Sequence, residues 1–363
     1  MSGDPAVARL EGVGARLRGL KAAYGNARAI IGLAVSIGAL VWVLRGVDLA
    51  QLWELTRGVD PLYFVALNLL LALNLAMRTW RWRLLVQPLM PCRLASLFSA
   101  NLIGFAANNI LPARLGEVVR AVVGARLTGL PLGASAASIV LERMLDGPVL
   151  LAFFSAVLLC LEPAAAAGPF DAGYFRAAIL TFLAGYLAAL AVLIAVARWP
   201  QAVVGPLARA AGLISPRLGV RVRQALLAFQ EGLAVLRREH LLVRLLVLSV
   251  GLRLPLFVMH WLFLPAVGLP LDLMLAALAT LGAGLASTLP SGPGYVGTYQ
   301  LAVFWALRLG GAPEQEAWAY AILYWAGQYF PLVAVGLSEA WRRGLSLGRL
   351  SNPPAAPSPN PRR

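Results

Sequence analysis

Long apolar segments recur along this chain of 363 residues, and they constrain its fold more than any other feature. A helix needs about 20 apolar residues to cross the hydrocarbon core of a bilayer, and residues 177–197, for example, contain no charged side chain. Only 13% of all residues are charged, about half of the fraction usual in soluble domains. Membrane β-barrels show short alternating strands instead. The sequence therefore predicts an all-α fold, a polytopic transmembrane helix bundle.

The apolar segments predict about six full membrane spans. Because basic residues favour the cytoplasmic side of a membrane, the charges between these spans place both chain termini in the cytoplasm. The predicted spans lie at residues 29–44, 61–77, 134–161 and 177–197, in a segment that starts within 241–254 and ends near 265–270, and at 318–340.

The same pattern divides the chain into a transmembrane domain and two tails. Residues 1–28 form a basic cytoplasmic tail, and residues 29–340 form the transmembrane domain. Within this domain, residues 199–240 are predicted to be a cytoplasmic amphipathic segment that lies on the membrane surface. Residues 341–363 are rich in Pro and Arg and are predicted to be a disordered cytoplasmic tail.

One apolar segment does not fit as a simple span. Arg93 is cytoplasmic and Glu162 is external by the charge rule, so an odd number of crossings must separate them. Two apolar stretches lie between these residues, at 94–113 and 134–161. The arginines that follow the first stretch place its C-terminal end on the cytoplasmic side again. Phe98–Arg120 is therefore predicted to be a re-entrant hairpin.

A second hairpin is predicted from the outside. Two prolines and three glycines within Pro290–Gly297 interrupt an apolar stretch and break any helix. The following arm, Thr298–Leu307, is about 15 Å long as a helix, half of a membrane. Two tilted spans joined by a tight turn are the alternative. Two hairpins from opposite sides are the pattern of an inverted repeat, with a binding site near the midplane.

The net charge of +15 comes from 31 basic and 16 acidic residues. In a soluble protein this excess would indicate nucleic acid, but here the arginines flank apolar segments, where they contact anionic lipid. No nucleic-acid partner is therefore expected. The two cysteines and two histidines are too few to indicate a metal cluster, and the P-loop motif is missing. No metal and no cofactor are expected.

Arg114, Glu117 and Arg120 have a spacing that places them on one side of a helix. Guanidinium groups bind phosphate in a bidentate manner, so these residues predict a site for an anionic headgroup. The alternative is a cytoplasmic helix end whose arginines extend to lipid phosphates. Asn108 and Asn109 precede this group and are added to the candidate site, with helix bridging as their alternative role.

A second group, Glu142, Arg143 and Asp146, lies inside the predicted span at 134–161. A charge at the bilayer centre costs about 3 kcal/mol on insertion scales, so such residues face a bundle interior and are paired. Arg143 is predicted to join Arg114 and Arg120 around a ligand, and an acidic partner would neutralise the site when it is empty. A structural ion-pair network that joins helices is the alternative.

The third group belongs to the interrupted stretch near residue 294. Gly294 and Gly297 permit close backbone approach, and free amide groups at a broken helix bind anionic oxygens. Tyr299 and Gln300 are predicted to add hydrogen bonds to the ligand. The alternative is a tight structural turn.

These motifs, PARLGEVVRA, ERMLD and LPSGPGYVGTYQ, resemble the lysylphosphatidylglycerol synthase transmembrane-region family. The resemblance covers about residues 29–340 and implies a flippase-like integral membrane protein. Members include the membrane half of bacterial lysylphosphatidylglycerol synthases and stand-alone proteins associated with hopanoid, glycolipid or dolichol-linked pathways. The family pattern carries over to Pro112, Arg114, Gly116, Glu117, Arg120, Glu142, Arg143, Asp146, Pro290, Pro293, Gly294 and Gly297.

Two departures from the family pattern affect the function. Many members have a glutamate where this chain has Gln300, so a proton carried by that acid would be missing here. No soluble aminoacyl-transferase domain follows Ala340, so the chain is not expected to lysylate lipid or to be an enzyme.

We therefore expect a lipid flippase or transporter of the bacterial inner membrane. Its substrate would be an anionic, polyprenyl-type or hopanoid-pathway lipid that passes through an arginine-lined cavity. An integral-membrane enzyme of lipid or glycolipid synthesis, or a non-catalytic partner of one, is the alternative, and a scaffold without a ligand is the third. A homo-oligomer and a complex with a lipid-biosynthesis enzyme both remain open.

Overall fold

The computed structural model describes most of the predicted transmembrane domain. The tail at 1–28, the predicted span at 29–44, most of the span at 177–197 and Arg114 lie outside the described residues. Residues 346–363 of the C-terminal tail do so as well. The described residues are 53–54, 56–111, 115–160, 200–232, 239–287 and 292–345, together with the single positions 184, 187, 188 and 191.

All regular structure in these ranges is helical, which confirms the predicted all-α membrane bundle. Two 3-10 turns, Leu264–Val267 and Pro293–Tyr295, connect some of the α-helices. The α-helices are α1 (Pro61–Val86), α2 (Leu94–Ile110), α3 (Leu115–Thr128), α4 (Leu132–Cys160), α5 (Pro200–Ile214), α6 (Pro216–Gly232), α7 (Glu239–Gly251), α8 (Arg253–Phe263), α9 (Leu273–Ala286), α10 (Thr298–Leu309) and α11 (Glu314–Arg342).

Three of the described helical segments are long and apolar enough to cross a membrane: Pro61–Val86, Val243–Val267 and Glu314–Arg342. They agree with predicted spans. Helix α4 is also long, with 29 residues, but it carries the charged residues Glu142, Arg143 and Asp146 near its middle. The apolar runs thus locate the long helices, and one of these helices contains a charged segment.

Helix α1 is longer than the sequence predicted. The predicted span ends at Met77, with Arg78–Leu85 in the headgroup layer, but the helix continues without a break to Val86. Arg81 and Trp82 are fully buried, with 0% of their surface exposed. Neighbouring helices therefore supply partners for the Arg81 guanidinium group, a contact that was not predicted, and the placement of this segment in the headgroup layer stays a prediction.

Helices α2 and α3 form an antiparallel pair where the first hairpin was predicted. Gly104 and Gly116 allow their close approach. A Cβ on Gly104 would lie 2.5 Å from the Cβ of Arg120, and one on Gly116 would collide with the backbone of Asn108. Glycine at these positions brings the backbone of α3, and with it Arg120, against α2.

Helices α9 and α10 form a second pair, closed by the turn that contains Pro293–Tyr295. This pair packs against α11 and α8 through an aromatic core. The rings of Phe304 and Trp318 stack with centroids 3.8 Å apart, and His260 stacks on Tyr324 at 4.2 Å. Each hairpin thus lies between two longer helical segments in the chain.

The predicted amphipathic segment at 199–240 contains helices α5 and α6, and α6 packs against α4. Leu213, at the end of α5, is 89% exposed. This pair therefore presents apolar side chains on the outside of the described structure.

Candidate functional site

The charged residues of α4 form the centre of the candidate site. Asp146 lies at the middle of this 29-residue helix, about 21 Å from either end. Glu142 precedes it by one turn and is only 1% exposed. Both carboxylates therefore need cationic partners, because a buried charge is stable only when it is paired and hydrogen-bonded.

Arg81 of α1 pairs with both carboxylates. Its Nη1 lies 2.5 Å from Asp146 Oδ1, and its Nη2 lies 3.3 Å from Asp146 Oδ2. Its Nε lies 3.7 Å from Glu142 Oε1. Nη1 also donates a hydrogen bond of 2.7 Å to Ser249 Oγ of α7. Arg81 thus connects α1, α4 and α7.

Arg120 of α3 binds the same glutamate from the other side. Its Nη1 lies 2.6 Å from Glu142 Oε2 and 3.8 Å from Glu117 Oε2. Its guanidinium carbon lies 4.3 Å from the ring centroid of Trp82, within the range of a cation–π contact. The predicted pairing of Glu117 with Arg120 is present, but Glu142 is the nearer partner.

Arg143 forms the open side of the cluster. Its Nη2 lies 3.6 Å from Glu117 Oε1 and its Nη1 lies 3.9 Å from Asp146 Oδ2, so both ion pairs are long. Its side chain is 37% exposed, whereas those of Arg81 and Arg120 are nearly inaccessible. Arg143 is therefore the arginine of this group most accessible to a ligand.

Several donors of the cluster have no hydrogen-bond partner among the described residues. They are Nε of Arg81, Nε and Nη2 of Arg120, and Nε and Nη2 of Arg143. Guanidinium donors of this kind fit the oxygens of a phosphate or carboxylate. Glu117 Oε2 and Glu142 Oε1 are likewise buried without a hydrogen bond among the described residues, so the charged groups on both sides of the cluster are only partly satisfied by their close contacts.

Two further arginines border the cluster. Arg78 of α1 and Arg253 of α8 both lie within electrostatic range of Asp146. Arg253 Nη2 donates to the backbone oxygen of Asp146 at 3.4 Å, and Arg78 Nε donates to Asn74 Oδ1 at 2.9 Å. Both side chains are half-buried.

The turn of the second hairpin meets the end of α2 beside this cluster. The Tyr329 hydroxyl donates to the backbone oxygen of Asn109 at 3.3 Å, and Trp325 Nε1 donates to the oxygen of Gly294 at 2.8 Å. Tyr295 lies within electrostatic range of Arg143. Gly294 has a φ of 69° and a Cβ there would lie 2.6 Å from the Tyr329 ring. Glycine is thus required at this contact between the hairpins.

Gln300 and Tyr299 both have contacts within the protein, and their predicted hydrogen bonds to a ligand stay a prediction. The Gln300 side-chain oxygen accepts a hydrogen bond of 2.7 Å from the backbone N–H of Gly297 and so caps α10. That N–H is therefore not free for a ligand. Tyr299 is buried in the aromatic core beside α11. Gln300 acts in a capping box, where either Gln or Glu fits, so the departure from the family pattern preserves the cap.

Asn108 and Asn109 lie at the C-terminal end of α2, beside the contact between the hairpins. Asn108 packs against Gly116, and its side-chain oxygen is buried without a hydrogen bond in the described part of the chain. In the described ranges, no hydrogen bond joins either side-chain amide to the ion pairs.

Arg120, Glu117 and the α4 charges are predicted site residues that lie in the cluster, whereas Arg81, Arg78 and Arg253 join it without having been predicted. Arg78 and Arg81 were assigned to the headgroup layer because tryptophans alternate with arginines there. Their spacing of three residues within a continuous helix was the available signal, because it places both on one face. Arg253 was left out because its span starts somewhere within 241–254, so the sequence placed this residue either inside the membrane or at its inner edge.

A protein-family model described as lysylphosphatidylglycerol synthase TM region matches residues 29–336 of the chain. The chain matches no curated protein and no solved structure. The matched region contains the ion-pair cluster and both helical hairpins.

Proposed function

The chain belongs to the lysylphosphatidylglycerol synthase transmembrane-region family, and on this premise we propose that it is a lipid flippase that holds an anionic headgroup at its arginine cluster. Membership makes it a multi-pass membrane protein involved in lipid handling. The headgroup, the translocation and the inner-membrane location belong to the proposal.

The observation that carries this proposal is the cluster formed by Arg81, Arg120 and Arg143 with the carboxylates of α3 and α4. An ion-pair network that only joined helices would use its donors fully, since each unsatisfied buried polar group destabilises the fold. Here buried guanidinium donors have no hydrogen-bond partner among the described residues. Arg143, the most exposed arginine of the cluster, contributes two of these donors, and an anionic headgroup oxygen supplies the partner that they lack.

The contact between the two hairpins supports a path at mid-membrane depth. Tyr329, which contacts Asn109, lies at the middle of the 29-residue helix α11. The hairpin helices have only 12 to 17 residues, about 18–26 Å in length. Both hairpins are therefore proposed to be re-entrant and to end near the midplane, where irregular backbone is tolerated beside protein or a watery cavity.

In this mechanism the lipid tails remain in the bilayer while the headgroup enters beside Arg143. The carboxylates of Glu117 and Asp146 compete with the headgroup for this arginine. Because their ion pairs with it are long, the headgroup can displace them. Entry exchanges weak internal pairs for ligand pairs, and departure reverses the exchange. The arginines thereby lower the barrier to moving a charged headgroup through hydrocarbon.

The experiment uses purified full-length protein in liposomes that contain fluorescently labelled anionic lipid. A membrane-impermeant quencher reports how much label reaches the outer leaflet. We expect translocation by the native protein and a loss of at least tenfold in Arg143→Gln, which is accessible enough to be replaced without unfolding. Arg342→Gln is the matched control, because Arg342 is 72% exposed at the end of α11.

Three outcomes contradict the proposal. An unchanged leaflet distribution with native protein would favour the alternative of a scaffold without a ligand. Chemical conversion of the labelled lipid would favour the enzyme alternative. Equal translocation by native protein and a folded Arg143→Gln variant would exclude the arginine cluster as the path. Circular dichroism and thermal unfolding in detergent establish that each variant is folded.

A further inference from the structure

We propose that the cluster selects lipids whose headgroup carries two negative charges, a phosphomonoester or a diphosphate, and that Arg78 and Arg253 recognise the second charge. This inference rests on the proposed function and names the substrate class of the same site. It follows from an imbalance of charge around Asp146.

Five arginines surround three carboxylates in the described part of this site. Arg81, Arg120 and Arg143 each form ion pairs with at least one of Glu117, Glu142 and Asp146. The three carboxylates thus balance these three arginines. Arg78 and Arg253 are the remaining two charges.

Among the described residues, Arg78 has only neutral partners. Its Nε donates to Asn74 Oδ1 at 2.9 Å, and its guanidinium carbon lies 5.6 Å from the ring centroid of Phe105. Asn74 Nδ2 in turn donates to the backbone oxygen of Leu252 at 2.9 Å. This amide therefore fixes Arg78 of α1 beside the junction of α7 and α8.

Arg253 follows that junction directly and also has only a neutral hydrogen-bond partner, the backbone oxygen of Asp146. Across the described residues, no carboxylate lies within 4.0 Å of either arginine. Both guanidinium groups lie within electrostatic range of Asp146, Arg81 and Arg143. Two half-buried charges next to the cluster thus remain uncompensated.

An uncompensated charge in a low-dielectric environment is unfavourable, so the ligand that fits best supplies about two negative charges. A phosphomonoester carries between about −1.5 and −2 at pH 7, with three terminal oxygens for bidentate pairing. A diphosphate supplies a similar charge on two phosphates. A phosphodiester headgroup with one charge leaves one arginine unpaired, and a zwitterionic headgroup leaves both.

The test measures binding to the full-length protein in detergent micelles, by the shift of its thermal unfolding midpoint during lipid titration. The probes are phosphatidic acid, phosphatidylglycerol and phosphatidylcholine with identical acyl chains, a polyprenyl diphosphate and soluble inorganic pyrophosphate. We expect phosphatidic acid and the diphosphate lipid to bind about tenfold tighter than phosphatidylglycerol. Because the second pKa of a phosphate monoester is about 6, this preference should shrink at pH 5 for phosphatidic acid.

The variant Arg78→Gln/Arg253→Gln should remove the preference for phosphatidic acid, because it weakens the binding of phosphatidic acid about tenfold more than that of phosphatidylglycerol. The matched control is Arg83→Gln/Arg244→Gln. Arg83 lies on α1 against the Trp80 ring, and Arg244 is exposed on α7. The control should retain the preference of the native protein.

Equal affinity of the native protein for phosphatidic acid and phosphatidylglycerol would overturn the inference. Loss of the preference in the control pair would do so too, because it would reflect general surface charge. Pyrophosphate that binds as tightly as the lipids would assign the site to a soluble phosphate. The result is separable from the proposed function. Selective binding without translocation refutes the flippase and supports this inference. Translocation without selective binding supports the flippase and refutes this inference.

Discussion

Two parts of the molecule share one layout but differ in chemistry. In the N-terminal part, the pair α2–α3 lies in sequence between the long helices α1 and α4. In the C-terminal part, the pair α9–α10 lies between the segment Val243–Val267 and the long helix α11. The first part has buried ion pairs beside its apolar core, and the core of the second contains stacked aromatic rings.

The difference indicates that the two parts have different roles. Arg120 and Glu142 meet at the α3–α4 contact, whereas Phe304 and Trp318 meet at the equivalent α10–α11 contact. Aromatic side chains pack densely and contain no ion pairs that a ligand could displace, so this packing suits a fixed support. Ion pairs with free donors exchange partners, so they suit a binding surface. The turn at Gly294 brings the support against this surface.

The largest expected effect is on the charged side. Glu142→Gln removes the carboxylate shared by Arg81 and Arg120 and leaves two buried arginines short of a partner. Loss of one member of a buried ion pair destabilises a protein by about 3–5 kcal/mol. We expect a clearly lower unfolding midpoint in detergent. Glu314→Gln, at an exposed position in the first turn of α11, is the control and should unfold like the native protein.

A smaller effect is expected on the aromatic side. The Tyr320 hydroxyl donates to the His260 oxygen at 2.9 Å and lies 2.8 Å from His260 Nδ1, which therefore carries the proton. Tyr320→Phe leaves that buried N–H unsatisfied and should cost about 1–3 kcal/mol.

Lipid translocation by the folded fraction of Tyr320→Phe should be unchanged, as measured with labelled liposomes. A specific loss of translocation at full stability would contradict the assignment of this part as support. Tyr63→Phe removes a hydroxyl from the edge of the same core and serves as the control.

Apolar periodicity and length predicted the helices because burial in a bilayer imposes simple requirements on a sequence. The segments at 61–77 and 318–340, and the Gly/Pro interruption near residue 294, correspond to observed helices and a turn. Backbone breakers act locally, so their effect is readable from the chain. The depth of both hairpins stays a prediction, because the described helices alone do not set it.

The site was only partly predictable, because its ion pairs join residues far apart in the chain. Arg81 pairs with Asp146 across 65 positions, and a single sequence contains no signal for that pairing. Gln300 illustrates a local contact instead. Its partner, Gly297, is three residues away, so the capping contact follows from sequence-local geometry, and the contact of Gln300 with a ligand stays a prediction.

That capping contact makes a prediction of moderate size. Gln300→Ala removes the acceptor for the Gly297 N–H and should destabilise α10 by about 1 kcal/mol, as for other helix caps. Gln300→Glu supplies an equivalent oxygen and should restore part of this stability. Lipid preference should be the same in both variants by the unfolding-shift titration. A changed preference in Gln300→Ala would place this side chain in the headgroup site instead.

The smallest expected effect lies where the two parts meet. Tyr329→Phe removes the hydrogen bond of 3.3 Å to the Asn109 oxygen and should change stability by about 0.5 kcal/mol. If the hairpin ends separate when a headgroup passes, the missing bond lowers that barrier and translocation should become about twofold faster. Ser338→Ala is the control, because the Ser338 hydroxyl bonds only within α11, to Val335. An unchanged rate in Tyr329→Phe would mean that this contact stays closed during transport. The fixed support formed by the aromatic C-terminal part would then include the end of α2 as well.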